Sequence, residues 1–295
     1  MTAYFTSTGT EFHPTAAAGG HWGYGLISGP AVAGLAAHAL ERDFAEPGFL
    51  PARFTIDLVK PARQVPTRVA TRIVREGRRV RYTECDVLQG DSLVARASMV
   101  QYLQSETPAG QEWVTGDTFY GPDAAVGDEL FVGSDESGWS VMGVEHQNAS
   151  RKRAYYRGLD VQAGVPASPF VRATVVAEAA ANMVLNMGDN GIGYINGDLT
   201  ITLARLPRSE FLGLQGDSRL AAAGIATGTA TLYDDYGPFG TAVVTALANP
   251  TAQIDFGGVP RTGGAGAELF SGTEALSFGR TAAASFGRTA AGGVA

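Results

Sequence analysis

The chain has 295 residues, a formal net charge of −7 and a sequence pI near 5.1. Hydrophobic residues make up 45% of it and charged residues 17%, so a sizeable core can form and global disorder is excluded. The acidic balance also excludes a protein that binds nucleic acid by replacing phosphate counterions in bulk.

Cysteine usage and the N-terminus predict a soluble cytoplasmic protein. The one cysteine, Cys85, can form no internal disulfide, which fits a reducing compartment. The first residues lack the basic start and apolar core of a signal peptide, and the longest apolar helix is too short for a membrane span. His21 and His146 have no partners at the spacing of a metal site, so we expect no metal.

The first half of the chain is predicted to be a helix followed by a meander of strands. Residues 1–13 have a strand pattern, and Ser28 and Pro30 mark the beginning of a helix that runs to about residue 43. Further strand patterns follow at 52–60, 66–76, 79–89 and 92–104. Turn residues at Glu76-Gly77 and Gly90-Asp91 favour antiparallel hairpins over a parallel sheet whose strands are spaced by helices.

The second half repeats this order after a segment, 105–137, that is rich in Gly, Pro, Asp and Glu and is predicted to be a linker. Strand-like runs at 139–145 and 154–161 precede a helix over about 168–187. That helix begins at Ser168-Pro169 and is apolar nearly all round, which is typical of a helix covered by other structure. Further strands are predicted near 197–206, 211–222, 224–234 and 239–248.

Two ungapped matches indicate an internal duplication. Residues 32–40 of the first helix align with 176–184 of the second at an offset of 144. Residues 54–60 align with 199–205 at an offset of 145. Two matches at nearly the same offset predict two helix-plus-sheet units of similar build.

A long apolar helix with an antiparallel sheet, present twice, resembles the acyl-CoA thioesterase II-like family in its double-hotdog form, including the actinobacterial thioesterase-like proteins. The residues that carry the resemblance lie at 4–6, 19–25, 29–34 and 51–58 in the first half, and at 197–198 and in the final long hairpin in the second. The resemblance covers about residues 1–250. It implies an α+β double hotdog, in which two long central helices are wrapped by a continuous antiparallel sheet. The implied units are an N-terminal hotdog at 1–104 and a C-terminal hotdog at 138–250.

The resemblance also implies a thioesterase site in the second half. Such enzymes are similar in orienting water at the thioester carbonyl with an Asp, a hydroxyl residue and a Gln, without a covalent acyl-enzyme. These positions fall at Asp198, Ser218 and Thr245, so a threonine stands where the family has glutamine. Asp198 has an alternative role as a turn-forming residue after Asn196-Gly197. The implied substrate is an acyl-CoA, no cofactor is needed, and homo-oligomers are common in the family.

Four residues are candidates for the lining of the acyl pocket, namely Trp22, Tyr24, Glu178 and Asn182. The two aromatic residues either gate an acyl channel or cover the first helix. The two polar residues are four apart and share one face of the second helix. A carboxylate in an apolar helix is costly unless it is paired. Glu178 therefore either faces a cavity or pairs with a cation such as Arg172 or Arg205.

Two further segments and one alternative function stay open. The basic cluster at 72–81 is either the solvated face of a hairpin or a contact for a phosphorylated cofactor. The Gly/Ala-rich tail, 251–295, contains the repeat SFGRTAA twice and is predicted either to be disordered or to dock on a protein partner. The functional alternative is a non-catalytic acyl-CoA or fatty-acyl binding protein that has lost the family Gln.

Overall fold

The computed structural model describes residues 2–116, 118–123, 125 and 127–258, and this part of the chain contains two α-helices and seventeen strands. The helices are α1 (Gly29–Phe44) and α2 (Pro169–Ala181). The strands of the first half are β1 (Ala3–Thr8), β2 (Glu11–Pro14), β3 (Phe49–Leu58), β4 (Thr67–Glu76), β5 (Val80–Gln89) and β6 (Ser92–Leu103). Those that follow are β7 (Phe131–Ser134), β8 (Ser140–Val141), β9 (Lys152–Tyr156), β10 (Asp160–Gln162), β11 (Met187–Gly188), β12 (Gly191–Ile192), β13 (Tyr194–Asn196), β14 (Asp198–Leu203), β15 (Leu212–Ala222), β16 (Ile225–Asp234) and β17 (Gly237–Ala248).

Both helices begin where the sequence predicts. α1 follows Ser28 and has a proline in its first turn. Ser168 caps α2, since its side-chain oxygen accepts a hydrogen bond from the Val171 N–H at 3.2 Å. At Asn182 the second helix passes into a π-helical turn that ends at Asn186. A π turn is a rare form that is frequent at functional sites.

One sheet of fifteen strands contains all the described strands except β11 and β12. Its order is β10-β1-β2-β4-β5-β6-β3-β14-β17-β16-β15-β9-β7-β8, and β13 pairs with β17 beside this path. Neighbouring strands are antiparallel except for β1 and β10, which are parallel. The sheet is therefore continuous across the two halves but not antiparallel throughout.

The junction of β3 with β14 shows the internal duplication in three dimensions. Thr55 lies opposite Thr200, and their hydroxyl oxygens are 3.0 Å apart. The two threonines are equivalent at the sequence offset of 145. Equivalent residues that face each other on antiparallel strands are related by a local twofold axis, so the two units meet about an approximate axis near this pair.

α1 and α2 pack against each other in the core. A Cβ at Gly34 of α1 would lie 2.7 Å from Val175 Cγ2 and 2.8 Å from Val161 Cγ2, so the missing side chain allows a close approach. Phe54 of β3 meets Phe170 of α2 edge to face, with ring centroids 6.0 Å apart. The two halves thus share one core.

Three elements between the halves differ from the predictions. β7 lies inside the predicted linker, because the short apolar run at 130–132 is buried and pairs with β9. The predicted strand 139–145 is shortened to β8, because the Ser140 hydroxyl donates to Glu145 and the chain folds back. The predicted strand 154–161 is two strands, β9 and β10, divided near Gly158, whose φ of +78° interrupts the extended backbone.

The beginning of the predicted tail is joined to the second half. Ile254 and Ile192 exchange two backbone hydrogen bonds, of 2.9 and 3.0 Å. The two copies of the repeat lie outside the described residues. No helix in the described ranges has the length and apolar character needed to cross a bilayer.

Candidate active site

A cavity of about 430 Å³ lies between the first turn of α1, the last turns of α2 and the segment that leads into β14. Its polar lining residues include His21, Ser28, Lys60, Glu178, Asn182 and Asn196. Its apolar lining includes Leu26, Ile27, Met183, Ile192, Ile195 and Ile254. Both halves of the chain contribute to it. The size and the mainly apolar lining are those of a small-molecule site with a few placed polar groups.

Glu178 reaches this cavity from α2 and is only 3% exposed. Its carboxyl lies so close to the backbone of Gly29 that a Cβ there would overlap it. Gly29 begins α1, where backbone N–H groups lack helical acceptors and the helix dipole favours negative charge. A glycine at this position is therefore what allows the carboxyl to approach the helix end.

Burial raises the pKa of Glu178 to about 7, and interaction with the Asn196 side chain partly offsets this rise. The Asn196 amide nitrogen makes no hydrogen bond of normal geometry among the described residues. Burial also lowers the pKa of His21, so this neighbouring ring is neutral at the pH where Glu178 ionises. A carboxyl that titrates near pH 7 can exchange a proton under physiological conditions.

The two arginines considered as partners of Glu178 are engaged elsewhere. Arg205 pairs with Asp234, with the closest nitrogen and oxygen atoms 2.6 Å apart. Arg172 donates to backbone carbonyl oxygens, one of them that of Ala167 at 3.3 Å. Of the two alternatives drawn from the sequence, the structure therefore agrees with a Glu178 that faces a cavity.

Three asparagine side chains form a hydrogen-bonded group at this side of the cavity, and Asn182 and Asn196 line the cavity itself. Asn186, in the π-helical turn, donates through Nδ2 to Asn182 Oδ1 at 3.0 Å and to Asn196 Oδ1 at 2.8 Å. Asn186 and Asn196 are buried, and Asn182 is half-buried. At the first turn of α1, the buried Ser28 hydroxyl has no hydrogen-bond partner within the described residues. The cavity thus holds polar groups that the described part of the protein does not itself satisfy.

The predicted catalytic residues Asp198 and Thr245 are in contact. Asp198 accepts a hydrogen bond from the Thr245 backbone N–H at 3.0 Å, and the Thr245 hydroxyl donates to the other carboxylate oxygen. Gly197, which precedes Asp198, and Leu247, two residues after Thr245, line the cavity. The pair itself is therefore placed at the edge of the cavity rather than inside it.

Ser218, the third predicted catalytic residue, is not in contact with this pair. Its hydroxyl lies 2.8 Å from that of Thr229 on β16. Two strands, β17 and β16, separate its own strand from β14. Three strand spacings amount to about 14 Å. The family pattern assigns Ser218 a place along β15, but it does not determine how far β15 lies from Asp198 across the sheet.

Of the predicted substrate-binding residues, Trp22, Glu178 and Asn182 meet in the cavity, whereas Tyr24 does not. Tyr24 is fully exposed at the tip of its loop. The next residue, Gly25, has a φ of +73°, and the tight turn leaves the Tyr24 side chain in solvent. Tyr24 is therefore no gate of this cavity.

Sequence reasoning missed three polar residues of the site, Ser28, Asn186 and Asn196. Asn186 carries a usable signal, since it continues the four-residue spacing of Glu178 and Asn182. The sequence identifies Ser28 only as a helix cap, but its side chain makes no capping hydrogen bond. Asn196 gives no signal, because its place depends on the pairing of β13 with β17.

The structure also bears on a metal site and on a phosphate contact at the basic cluster, 72–81. Within the described ranges, no three His, Cys, Asp or Glu side chains lie close enough to hold a metal ion. In the basic cluster, Arg72 pairs with Glu84 and Arg81 pairs with Glu46. These ion pairs favour the hairpin interpretation of that cluster.

Several solved structures of low sequence identity share the fold. The tesB protein of Mycobacterium avium subs paratuberculosis is 16% identical with a TM-score of 0.57, and the match covers 83% of this chain and 96% of that one. The acyl-CoA thioesterase II TesB2 of Mycobacterium marinum is 15% identical with a TM-score of 0.56, over 75% of this chain and 88% of that one. A protein of Alicyclobacillus acidocaldarius described as having a hot dog fold is 14% identical with a TM-score of 0.57, over 83% and 95%. At these identities the likeness shows the fold.

No curated protein sequence matches the chain. Two family models match it in succession, the acyl-CoA thioesterase N-terminal domain over residues 19–102 and the acyl-CoA thioesterase C-terminal domain over residues 122–247. Together they cover more than two thirds of the sequence. The chain therefore belongs to the acyl-CoA thioesterase family of thioester hydrolases and has the α+β hot dog fold.

Proposed function

We propose that this protein hydrolyses acyl-CoA thioesters in the cavity between the first turn of α1 and the Glu178 side chain. The observation that carries the proposal is the Glu178 carboxyl, which is buried, faces the cavity and lies against the N-terminal end of a helix. Both requirements of thioester hydrolysis, a base for water and donors for an oxyanion, are then met at one place.

The proposed reaction uses Glu178 as the general base. The carboxylate takes a proton from water, whose oxygen attacks the thioester carbonyl carbon. The carbon–sulfur bond then breaks, the departing thiolate of CoA takes up a proton, and the acyl group leaves as a carboxylic acid. Backbone N–H groups of the first turn of α1 stabilise the negative charge on the carbonyl oxygen.

The rest of the cavity accounts for binding in this proposal. The acyl chain lies along the apolar wall formed by residues such as Met183 and Ile192. Lys60 lines the same cavity and offers a cation to the phosphates of CoA. Trp22 covers the acyl chain where it enters the cavity.

A second arrangement follows part of the family pattern, with Asp198 and Thr245 holding the attacking water at the edge of the cavity and Ser218 too far across the sheet to take part. Its support is the pair of hydrogen bonds between Asp198 and Thr245. A carboxylate that accepts two hydrogen bonds is held in a fixed position, which suits it to anchor a water molecule.

The first experiment measures release of the CoA thiol from short-, medium- and long-chain acyl-CoAs by wild type, Glu178→Gln and Asp198→Asn. We expect Glu178→Gln to lower kcat by at least about 100-fold, the usual contribution of a general base. For wild type, kcat/KM should rise with pH through about 7, the pKa of Glu178, because the ionised form is the active one. If Asp198→Asn loses turnover while Glu178→Gln stays active, the general base is Asp198 and not Glu178.

The non-catalytic alternative has two observations in its favour. Thr245 stands at the position where the family pattern has glutamine, and Ser218 is paired with Thr229 instead of joining the site. A folded wild-type protein that binds acyl-CoA but releases no thiol from any member of the panel would establish a binding protein.

Other expectations from the sequence are part of the same proposal. We infer that α1 and α2 form a central pair enclosed by the sheet, in units at 1–104 and 138–250, and that the protein acts in the cytoplasm as a homo-oligomer. Light scattering on the purified protein checks the oligomeric state, since a mass equal to one 30.7 kDa chain would contradict it.

A further inference from the structure

The direction of two side-chain amides in the cavity is determined by a third. Asn186 Nδ2 carries two N–H groups, and it donates to the Oδ1 atoms of Asn182 and Asn196. Each acceptor amide therefore has its oxygen turned towards Asn186. The NH2 groups of Asn182 and Asn196 must then be directed away from Asn186.

Two buried donors line the cavity, and one of them, Asn196 Nδ2, interacts with the Glu178 carboxyl. Asn196 Nδ2 and Ser28 Oγ are buried and make no hydrogen bond of normal geometry within the described ranges. Asn182 also lines the cavity, and no described residue accepts a hydrogen bond from its Nδ2. Buried polar groups in proteins almost always have partners. Donors that face one cavity without a hydrogen bond of normal geometry indicate that a ligand supplies the acceptor.

The polar pair Glu178 and Asn182 occurs on one of the two equivalent helices only. At the offset of 144, Glu178 corresponds to Gly34 and Asn182 to His38. Gly34 is in close contact with Val175 and has no space for a side chain. The Glu178 and Asn182 side chains are therefore specific to the second helix and are not a general feature of how the two helices pack.

We propose that Ser28, Asn182 and Asn196 form a donor subsite for the carbonyl oxygen of an acyl thioester, with Asn186 as the positioning residue that keeps both amide NH2 groups directed into the cavity. The inference rests on the proposed function, because it names the part of the substrate that this subsite binds. The ligand must present an oxygen that only accepts hydrogen bonds, which a thioester carbonyl and the oxyanion formed from it both do.

Asn186→Asp reverses the direction of the hydrogen bonds that orient the subsite, with almost no change in the shape of the side chain. An aspartate accepts hydrogen bonds and donates none when ionised. Asn182 and Asn196 then rotate to donate to it, which turns their oxygens towards the ligand. Asn190→Asp, at an exposed position in the adjacent turn, adds the same charge without touching the network and is the matched control.

The test uses a decanoyl-CoA analogue in which a methylene replaces the sulfur, so that the ketone binds but cannot be hydrolysed. The infrared stretch of its ¹³C-labelled carbonyl should move to lower frequency on binding to wild type and to Asn190→Asp. The shift should be lost in Asn186→Asp and reduced in Asn182→Ala. The alanine variant provides a second test in case the aspartate variant does not fold.

The two proposals fail in different ways. An unshifted carbonyl in wild type, an equal shift in Asn186→Asp, or no binding of the ketone would overturn the donor subsite. If wild type still hydrolyses decanoyl-CoA in that case, the proposed function stands. A shifted carbonyl without any release of thiol from decanoyl-CoA would support the subsite and overturn the hydrolase.

Discussion

The proton on Glu178 contributes to the free energy of folding. Its pKa is about 7 in the folded protein and 4.5 in an ordinary exposed setting, so the folded state binds the proton more tightly than the unfolded state does. The stabilisation is fully present below pH 4.5 and is lost as the pH rises through 7. A shift of this size corresponds to on the order of 3 kcal/mol.

We therefore expect Glu178→Gln to be more stable than wild type at pH 8, by up to about 3 kcal/mol, because a neutral amide replaces a buried carboxylate. At pH 5 the difference should shrink towards zero, since Glu178 is then protonated in the folded protein. Urea unfolding at both pH values measures this. Glu106→Gln, at an exposed position, is the control and should show no such dependence on pH. A stability difference for Glu178→Gln that is equal at the two pH values would show that the carboxyl does not titrate as described.

At the scale of elements, the contact between α1 and α2 depends on a glycine. We expect Gly34→Ala to destabilise the protein, because the new Cβ would lie 2.7 Å from Val175 Cγ2. Overpacking of a core costs about 1–3 kcal/mol, and the better helix propensity of alanine returns only about 1 kcal/mol. Thermal unfolding gives the comparison. Adding Val175→Ala should restore part of the loss, and a Gly34→Ala protein as stable as wild type would contradict the close approach.

The long elements could be predicted from the sequence, and the short ones could not. β4, β5, β6, β15, β16 and β17 have ten to twelve residues each, long enough for turn signals and alternation to define them to within about two residues. β7 and β8 have four and two residues. Such segments become strands only because a neighbour pairs with them, and that neighbour is distant in sequence.

Some residues of the candidate site could likewise be predicted from the sequence, and others could not. Glu178 and Asn182 could be grouped in advance, because helical spacing places them on one face whatever the tertiary structure is. Asn196 and Ser218 could not be placed, because their positions depend on which strands lie side by side. Tyr24 lies outside the cavity for a local reason, since the φ of +73° at Gly25 turns the loop outwards and composition does not reveal it.

At the scale of the whole molecule, β3 and β14 join the halves into one sheet, so the halves should unfold together. Cys85 reports on this, because it is buried in the first half and burial raises the pKa of its thiol to about 12. We expect thiol labelling of Cys85 to follow the same denaturant midpoint as far-UV circular dichroism, which senses both halves. The labelling rate of Cys85 in the fully denatured protein gives the upper limit for comparison. Fast labelling at a lower denaturant concentration would mean that the first half opens by itself.

The cavity takes the α1 end from the first repeat and its acid from the second. Two identical protomers related by a twofold axis would have to carry both features in every copy, and each change in one site would reappear in the other. Fusion into one polypeptide removes that constraint. The first repeat has Gly34, in the helix contact, at the position that Glu178 occupies in the second. The two repeats therefore differ at this position, and residues from both are needed to form the cavity.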